Sequence, residues 1–385
     1  MLFQSIVVYA LLIMLMISFS ILAYRNNSTK SYYAVLLIFS LLFGMRYGVG
    51  IDFFSYQNMY ENWNNLAPLQ KYSLEPAFII LTEICTKINL PLFVYFSILC
   101  FIQIYFLFKP FRKNMYVLAY LSFTFIATGI AIMGYMNVIR QSIAFSIFFW
   151  SIQYISNRKL MKYIAAITLA VCFHKSAIIL YPVYFITYFQ KTFICNNRLF
   201  HTILVFISIG LLFVGVIQDS FLSNNNILLW IGYEHYTYDN SILQTSKSLG
   251  IMDFLFLIVN LLVIYLSRQM LDFYNKKNIN IQIIYITFLF GVCSDYLFNG
   301  SLIIQRFFLY FSNMRVIIYA LLLYYLFSTS IKHKIYYFFT LIVLLLHFAR
   351  IIYYSSDNTS QYAFFFQYEY HNMKEKQVDK AIYQR

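Results

Sequence analysis

Charge is scarce in this 385-residue chain: 11% of its residues are Asp, Glu, Lys or Arg, against 61% that are hydrophobic. So little polar surface cannot coat a water-soluble globule, and the composition places the chain in a bilayer. Cysteine is equally sparse. The five residues, Cys85, Cys100, Cys172, Cys195 and Cys293, are scattered mostly through apolar runs with no C-x-x-C spacing, which excludes a sequence-evident disulfide scaffold or thiol metal site and leaves buried free thiols. Also missing are G-x-S-x-G, H-E-x-x-H, a Walker glycine loop and a paired Asp-x-Asp, so a metal-free, cofactor-free chemistry is the simpler expectation. No internal repeat, low-complexity tract or soluble domain is evident. A net charge of +14 would point to nucleic acid in a soluble protein. In a membrane protein, basic cytoplasmic loops account for much of it, and a nucleic-acid partner is not expected.

What is present is a succession of apolar runs. Residues 4–23 lack a basic start and a small-residue cleavage site, so they read as a first span with its N-terminus outside, not as a removable signal. Residues 31–45 return to the outer face and deliver Arg46 there. The stretch 75–89 has helical apolar spacing but carries Glu75, Glu83 and Lys87, which suits an outer re-entrant or interfacial helix better than a lipid-exposed span. Further spans are expected near 91–108, 115–134, 138–155, 200–218, 250–267 and 279–297, then to about 328 and about 350. The basic clusters at 109–113, 158–162, 268–277 and 332–334 fall inside on this reading. Residues 163–189 are too long for one span and short for two, because helices of ~13 residues cover only ~20 Å of a ~30 Å core. The turn H-K-S at 174–176 is therefore expected below the outer surface, in a cavity. The whole is an all-α polytopic membrane protein with about twelve spans, one membrane domain over 1–354 and an outer tail over 355–385 that can lie as an amphipathic helix on the bilayer.

Charges inside such a chain are expensive, on the order of 3 kcal/mol at a span's centre. Those on the outer side are therefore the lead to function: Arg46, Asp52, Glu75, Arg140, His174, Lys175, Asp295 and Arg306. Arginine offers a planar fork suited to phosphate, so several arginines facing one outer cavity suggest a diphosphate site. Taken singly, each is served as well by snorkelling to headgroups or by a nearby carboxylate, as Arg46 could be by Asp52. His174, held dry beside Lys175, should favour the neutral form that acts as a base. Capping a broken helix end explains it equally well. Asp52 and Glu75 are the reserve candidates for the base.

R-Y-G-V-G-I-D-F-F-S-Y at 46–56, Glu75 with Pro76, N-V-I-R-Q-S-I-A at 137–144 and F-H-K-S-A at 173–177 resemble the EpsG-like branch of the Wzy-type polysaccharide polymerases, most strongly over residues 40–190. The resemblance implies a bacterial inner-membrane enzyme with a fold similar to class-C glycosyltransferases and an active site facing outside. Such an enzyme joins undecaprenyl-diphosphate-linked oligosaccharide units, which serve as both donor and acceptor, and a chain-length regulator is a candidate partner. Matched by motif, Arg46 and Asp52 fall on R-x-G-x-G-x-D, Arg140 and Gln141 on N-x-x-R-Q, and His174, Lys175 and Ser176 on H-K-S. The roles that follow from the chemistry are His174, Asp52 or Glu75 as base, and Arg46, Arg140, Lys175 and Arg306 on the diphosphate. Tyr56, Asn137, Gln141 and Ser176, with Trp230 and Tyr233 of the Asn- and Tyr-rich stretch 223–244, are expected on the sugars. A flippase for the same lipid-linked sugars and an O-antigen ligase-type transferase are the rival readings.

Overall fold

In the computed structural model, residues 1–189, 196–214, 249–277, 279–299, 302–353 and 359–383 are described. The chain begins with α1 (Leu2–Arg25) and α2 (Thr29–Gly44), the strand β1 (Arg46–Tyr47), and three short helices, α3 (Phe53–Glu61), α4 (Pro68–Tyr72) and α5 (Pro76–Lys87). It continues through α6 (Leu92–Phe108), α7 (Leu118–Ala127), a π turn at Ala131–Tyr135, α8 (Ile139–Ser156) and α9 (Leu160–Val171). After a 3-10 stretch at Lys175–Phe185 come α10 (Ile186–Phe189), α11 (Arg198–Val214), α12 (Ile251–Asn275), α13 (Gln282–Leu297), α14 (Leu302–Ser312), α15 (Met314–Ser328) and α16 (His333–Tyr353). The chain closes with β2 (Ala363–Phe364) and α17 (His371–Tyr383).

Length and composition qualify five helical stretches among the described residues to cross a membrane: 2–25, 92–111, 251–275, 304–328 and 333–353. At ~1.5 Å per residue, α1 alone reaches about 36 Å. Its outward face carries Phe3, Leu11, Met14 and Leu22 in the open, and α16 exposes Ile335, Phe338, Ile342 and Leu346. Apolar faces of that size persist only against lipid.

The backbone departs from regular α-helix in two of the apolar stretches. The stretch 115–134 is interrupted at Gly129 (φ 74°), after which the backbone takes the π turn. The second half of 163–189 is 3-10, not α, over 175–185 and contains Pro182, which has no N–H to give to an α-helical ladder.

Two compact units emerge. The first comprises residues 1–153, 165–174 and 344–385, and the second 154–164 and 175–343. In the first, α2 packs on α1 and α6, and α1 on α7. Gly44 permits the α2–α6 approach, since a Cβ there would stand 2.7 Å from the Phe93 carbonyl oxygen. In the second, α13 packs on α11, α14 and α15, and polar groups meet in pairs: Arg315 donates to Asp295 at 2.5 Å and Tyr319 to Asn260 at 2.6 Å. Inside a bilayer an unpaired polar group has no water to turn to, so such pairs are required.

The tail does not stand apart as an amphipathic helix on the bilayer. β2 pairs antiparallel with β1, Arg46 opposite Phe364 and Tyr47 opposite Ala363. The Phe365 N–H donates to the Met45 carbonyl and the Gly50 N–H to that of Thr359. Tyr9 donates to Ser360 O at 2.8 Å, Tyr362 to Leu42 O, and the Tyr47 ring stacks on His371 at 3.5 Å. Lys374 is fully enclosed, its stem over Gly48 and its ammonium on the Gln361 carbonyl.

Burial pushes the Lys374 ammonium down to about 7. An exposed lysine keeps its proton to about pH 10.4. Between these values the detached tail binds more protons than the docked one, so docking strengthens as pH rises and is weakest below pH 7. The thermal midpoint of purified protein should therefore gain more between pH 7 and 9 than that of Lys374→Met. Parallel pH profiles for the two proteins would show that Lys374 stays charged when enclosed.

Candidate active site

The site is sewn together from the motif loops of the first unit. Gly48 and Gly50 take φ of +58° and +89°, which turns R-Y-G-V-G-I-D back on itself. Arg46, 1% exposed, reaches inward from that loop. Its Nη1 donates to Phe43 O at 2.7 Å and its Nη2 to Met136 O at 3.0 Å, while Phe96 and Phe53 lie against the guanidinium at 4.6 and 5.6 Å. From the other side, Gln103 Nε2 donates to Tyr135 O at 3.0 Å and Ile139 O at 3.2 Å. Two side chains thus hold the carbonyls of the π turn and fix where α8 starts. Asn137 completes the seam, its Oδ1 accepting from the Asp52 N–H at 2.9 Å.

Arg140 follows in the first turn of α8, where a cation opposes the helix dipole. Glu75 offsets it, with Arg140 Nη1 donating to Glu75 Oε2 at 2.5 Å. Glu75 occupies the N-cap position of α5 ahead of Pro76, where a negative charge suits the helix dipole. The Glu75 side chain is 6% exposed and that of Arg140 28%, so the carboxylate is enclosed and the arginine side chain is not wholly covered. The Tyr56 hydroxyl lies within hydrogen-bonding reach of Arg140, and the Phe78 ring is 5.5 Å from its guanidinium carbon.

The α5 start is also tied to the broken end of α9. Ala77 N–H donates to Cys172 O at 2.9 Å, two residues before His174, whose own N–H caps Ala170 O. The first unit therefore gathers Asp52, Tyr56, Glu75, Asn137 and Arg140, with the half-buried His174 next along the chain. Gln141 is buried behind them at 2% exposure.

In the second unit, Ser176 and Tyr310 share a hydrogen bond at 2.9 Å. Tyr310 is one turn from Arg306 on α14, so that helix meets the Lys175–Ser176 end of the 3-10 stretch. Lys175 is exposed and Arg306 half-buried. Trp230 and Tyr233 lie outside the described residues.

Arg46 was expected to open outward to a phosphate, with Asp52 as its alternative partner; carbonyls and aromatic faces take it instead, and it fastens two motifs. Sequence reasoning did not link Glu75 with Arg140, nor did it find Gln103, whose signal was a lone amide in the apolar run 92–108.

These are the motifs of one family along most of the chain, and a model described as EpsG family matches residues 29–370. The chain belongs to the EpsG family. Neither curated proteins nor solved structures match it. Membership suggests a polysaccharide-polymerase type of function for this EpsG-family protein, and its helices make it a multi-pass membrane protein. The matched range begins with α2 and ends at Tyr370, so it takes in both the motif loops and the β2 segment that closes over them.

Proposed function

We propose that this chain is a polysaccharide polymerase of about twelve crossings and class-C-like architecture. It joins undecaprenyl-diphosphate-linked oligosaccharide units on the outer leaflet of the bacterial inner membrane. A hydroxyl of the incoming unit attacks the anomeric carbon of the growing chain. The new C–O bond forms as the bond to the diphosphate breaks, the hydroxyl proton passes to a base, and lipid diphosphate leaves with its negative charge.

The observation that carries this reading is the Glu75–Arg140 pair among the motif residues, an enclosed carboxylate holding an arginine side chain that is not wholly covered. Pre-aimed donors stabilise a departing diphosphate most where water is thin, and Arg140 retains donors beyond the one given to Glu75. Glu75 is already engaged as the counter-charge of Arg140. His174 is therefore preferred for the proton, with Glu75 orienting Arg140 and Asp52 in reserve. Tyr56, Asn137 and Gln141 in the first unit, and Ser176 with Lys175 and Arg306 in the second, are proposed for sugar and phosphate contacts of their own units.

The test is purified protein given one lipid-linked repeat unit. A ladder of lengthening products with equimolar lipid diphosphate is expected. One transfer to a different acceptor would make it a ligase, and unchanged substrate that crosses a vesicle bilayer would make it a flippase.

A further inference from the structure

Beside the site seam lies a small pocket formed where the motif loops meet the closing tail segment. It is lined by Gly50, Ile51, Ile132, Met133 and Asn137, with Thr359 and Ser360 from the closing tail segment. Ile51, Ile132 and Met133 supply aliphatic carbon to it, and Asn137 and Thr359 supply polar groups. Thr359 is 5% exposed, yet its hydroxyl has no protein partner among the described residues; its carbonyl is the one held by Gly50. Asn137 Oδ1 accepts from the Asp52 N–H, and its Nδ2 donors have no protein partner among the described residues. A hydroxyl and an amide N–H that line a pocket without a protein partner are completed there by water or a ligand.

The chemistry of the pocket restricts the ligand. No Lys, Arg or His lines it, which disfavours phosphate, and no aromatic ring lines it for stacking. Its enclosed part admits about one water-sized group, enough for a hydroxyl or hydroxymethyl but not a ring. An amide N–H and a hydroxyl set among aliphatic side chains match the edge of a sugar, where an O–H is flanked by C–H groups. We propose that this pocket seats one hydroxyl or hydroxymethyl group of the glycan, with Thr359 and Asn137 as its partners, so that Thr359 positions and selects the sugar. This rests on the polymerase reading and deepens it. The same asparagine anchors Asp52, so a seated sugar is registered directly against the motif loop.

The test uses the full-length protein and the lipid-linked intermediate that accumulates in cells lacking this gene, together with the free oligosaccharide cleaved from that lipid. Thr359→Val removes the hydroxyl at nearly constant shape, and Thr359→Ser keeps it. The expected result is a KM for the intermediate raised about tenfold in the valine variant, with kcat little changed and serine close to wild type. Inhibition by the free oligosaccharide should weaken in parallel, because the lost contact is to sugar and not to diphosphate. If wild type makes a ladder and the valine variant matches it in KM and inhibition, the pocket holds only water and the proposal is overturned while the polymerase reading stands. If wild type makes no ladder but binds the free oligosaccharide, and the valine variant does not, the pocket stands and the polymerase reading falls. Absence of both ladder and binding in wild type overturns both.

Discussion

Arg140→Lys is expected to reduce polymer formation about 100-fold or more while the protein still folds and inserts, since loss of one pre-aimed donor to developing negative charge costs 10²–10³ in rate. Lysine keeps the positive charge that Glu75 requires and can reach the same carboxylate oxygen. What it lacks is the fork, which lets one side chain hold Glu75 and still present N–H groups elsewhere. Arg140→Ala is a poorer experiment, because stripping the cation strands an enclosed carboxylate and costs about 3–5 kcal/mol of stability. Chain length should be read by gel on polymer from cells with matched expression, and turnover by release of lipid diphosphate. Wild-type polymer from the lysine variant would remove Arg140 from the diphosphate and leave the Glu75–Arg140 pair a purely structural clamp.

The charges behind this prediction were legible because a bilayer makes each of them conspicuous. Arg46, Glu75, Arg140 and His174 all stand out from apolar surroundings. Partnership was not legible. Glu75 and Arg140 are 65 positions apart, and their meeting depends on α5 and α8 presenting their amide ends to each other. Arg46 misled for a related reason: Asp52 is near in sequence, but the left-handed glycines turn the loop so that the guanidinium faces Met136 and Phe96 instead. Spans were read from hydropathy, whereas the break at Gly129 and the 3-10 run after His174 are set by packing and by a single proline. Least legible was the tail. Two-residue strands more than three hundred positions apart have no period to detect, and α17 reads as polar surface apart from positions such as Lys374 that the fold encloses.

Removal of the tail should then have the largest effect of all. A chain ending at residue 354 leaves the β1 edge, the Gly50 N–H and the Tyr9 hydroxyl without partners, and uncovers the ring faces of Tyr47 and Phe93 that now stack on His371 and Phe365. Each lost partner in a buried place costs about 1–3 kcal/mol, which together approach the whole stability of an ordinary domain. No polymer and little full-sized membrane protein are expected, but a misfolded chain cannot say whether the tail belongs to the site. Gly48→Val separates the two. A Cβ at Gly48 would stand 2.7 Å from the Lys374 Cβ at a backbone φ of +58°, so the variant must displace α17 or re-form the loop while the membrane helices are untouched. It should keep the helical circular dichroism and monodisperse elution of wild type and lose most of its polymer. Normal polymer from such a protein would mean that the tail braces the helices without shaping the R-Y-G-V-G-I-D loop.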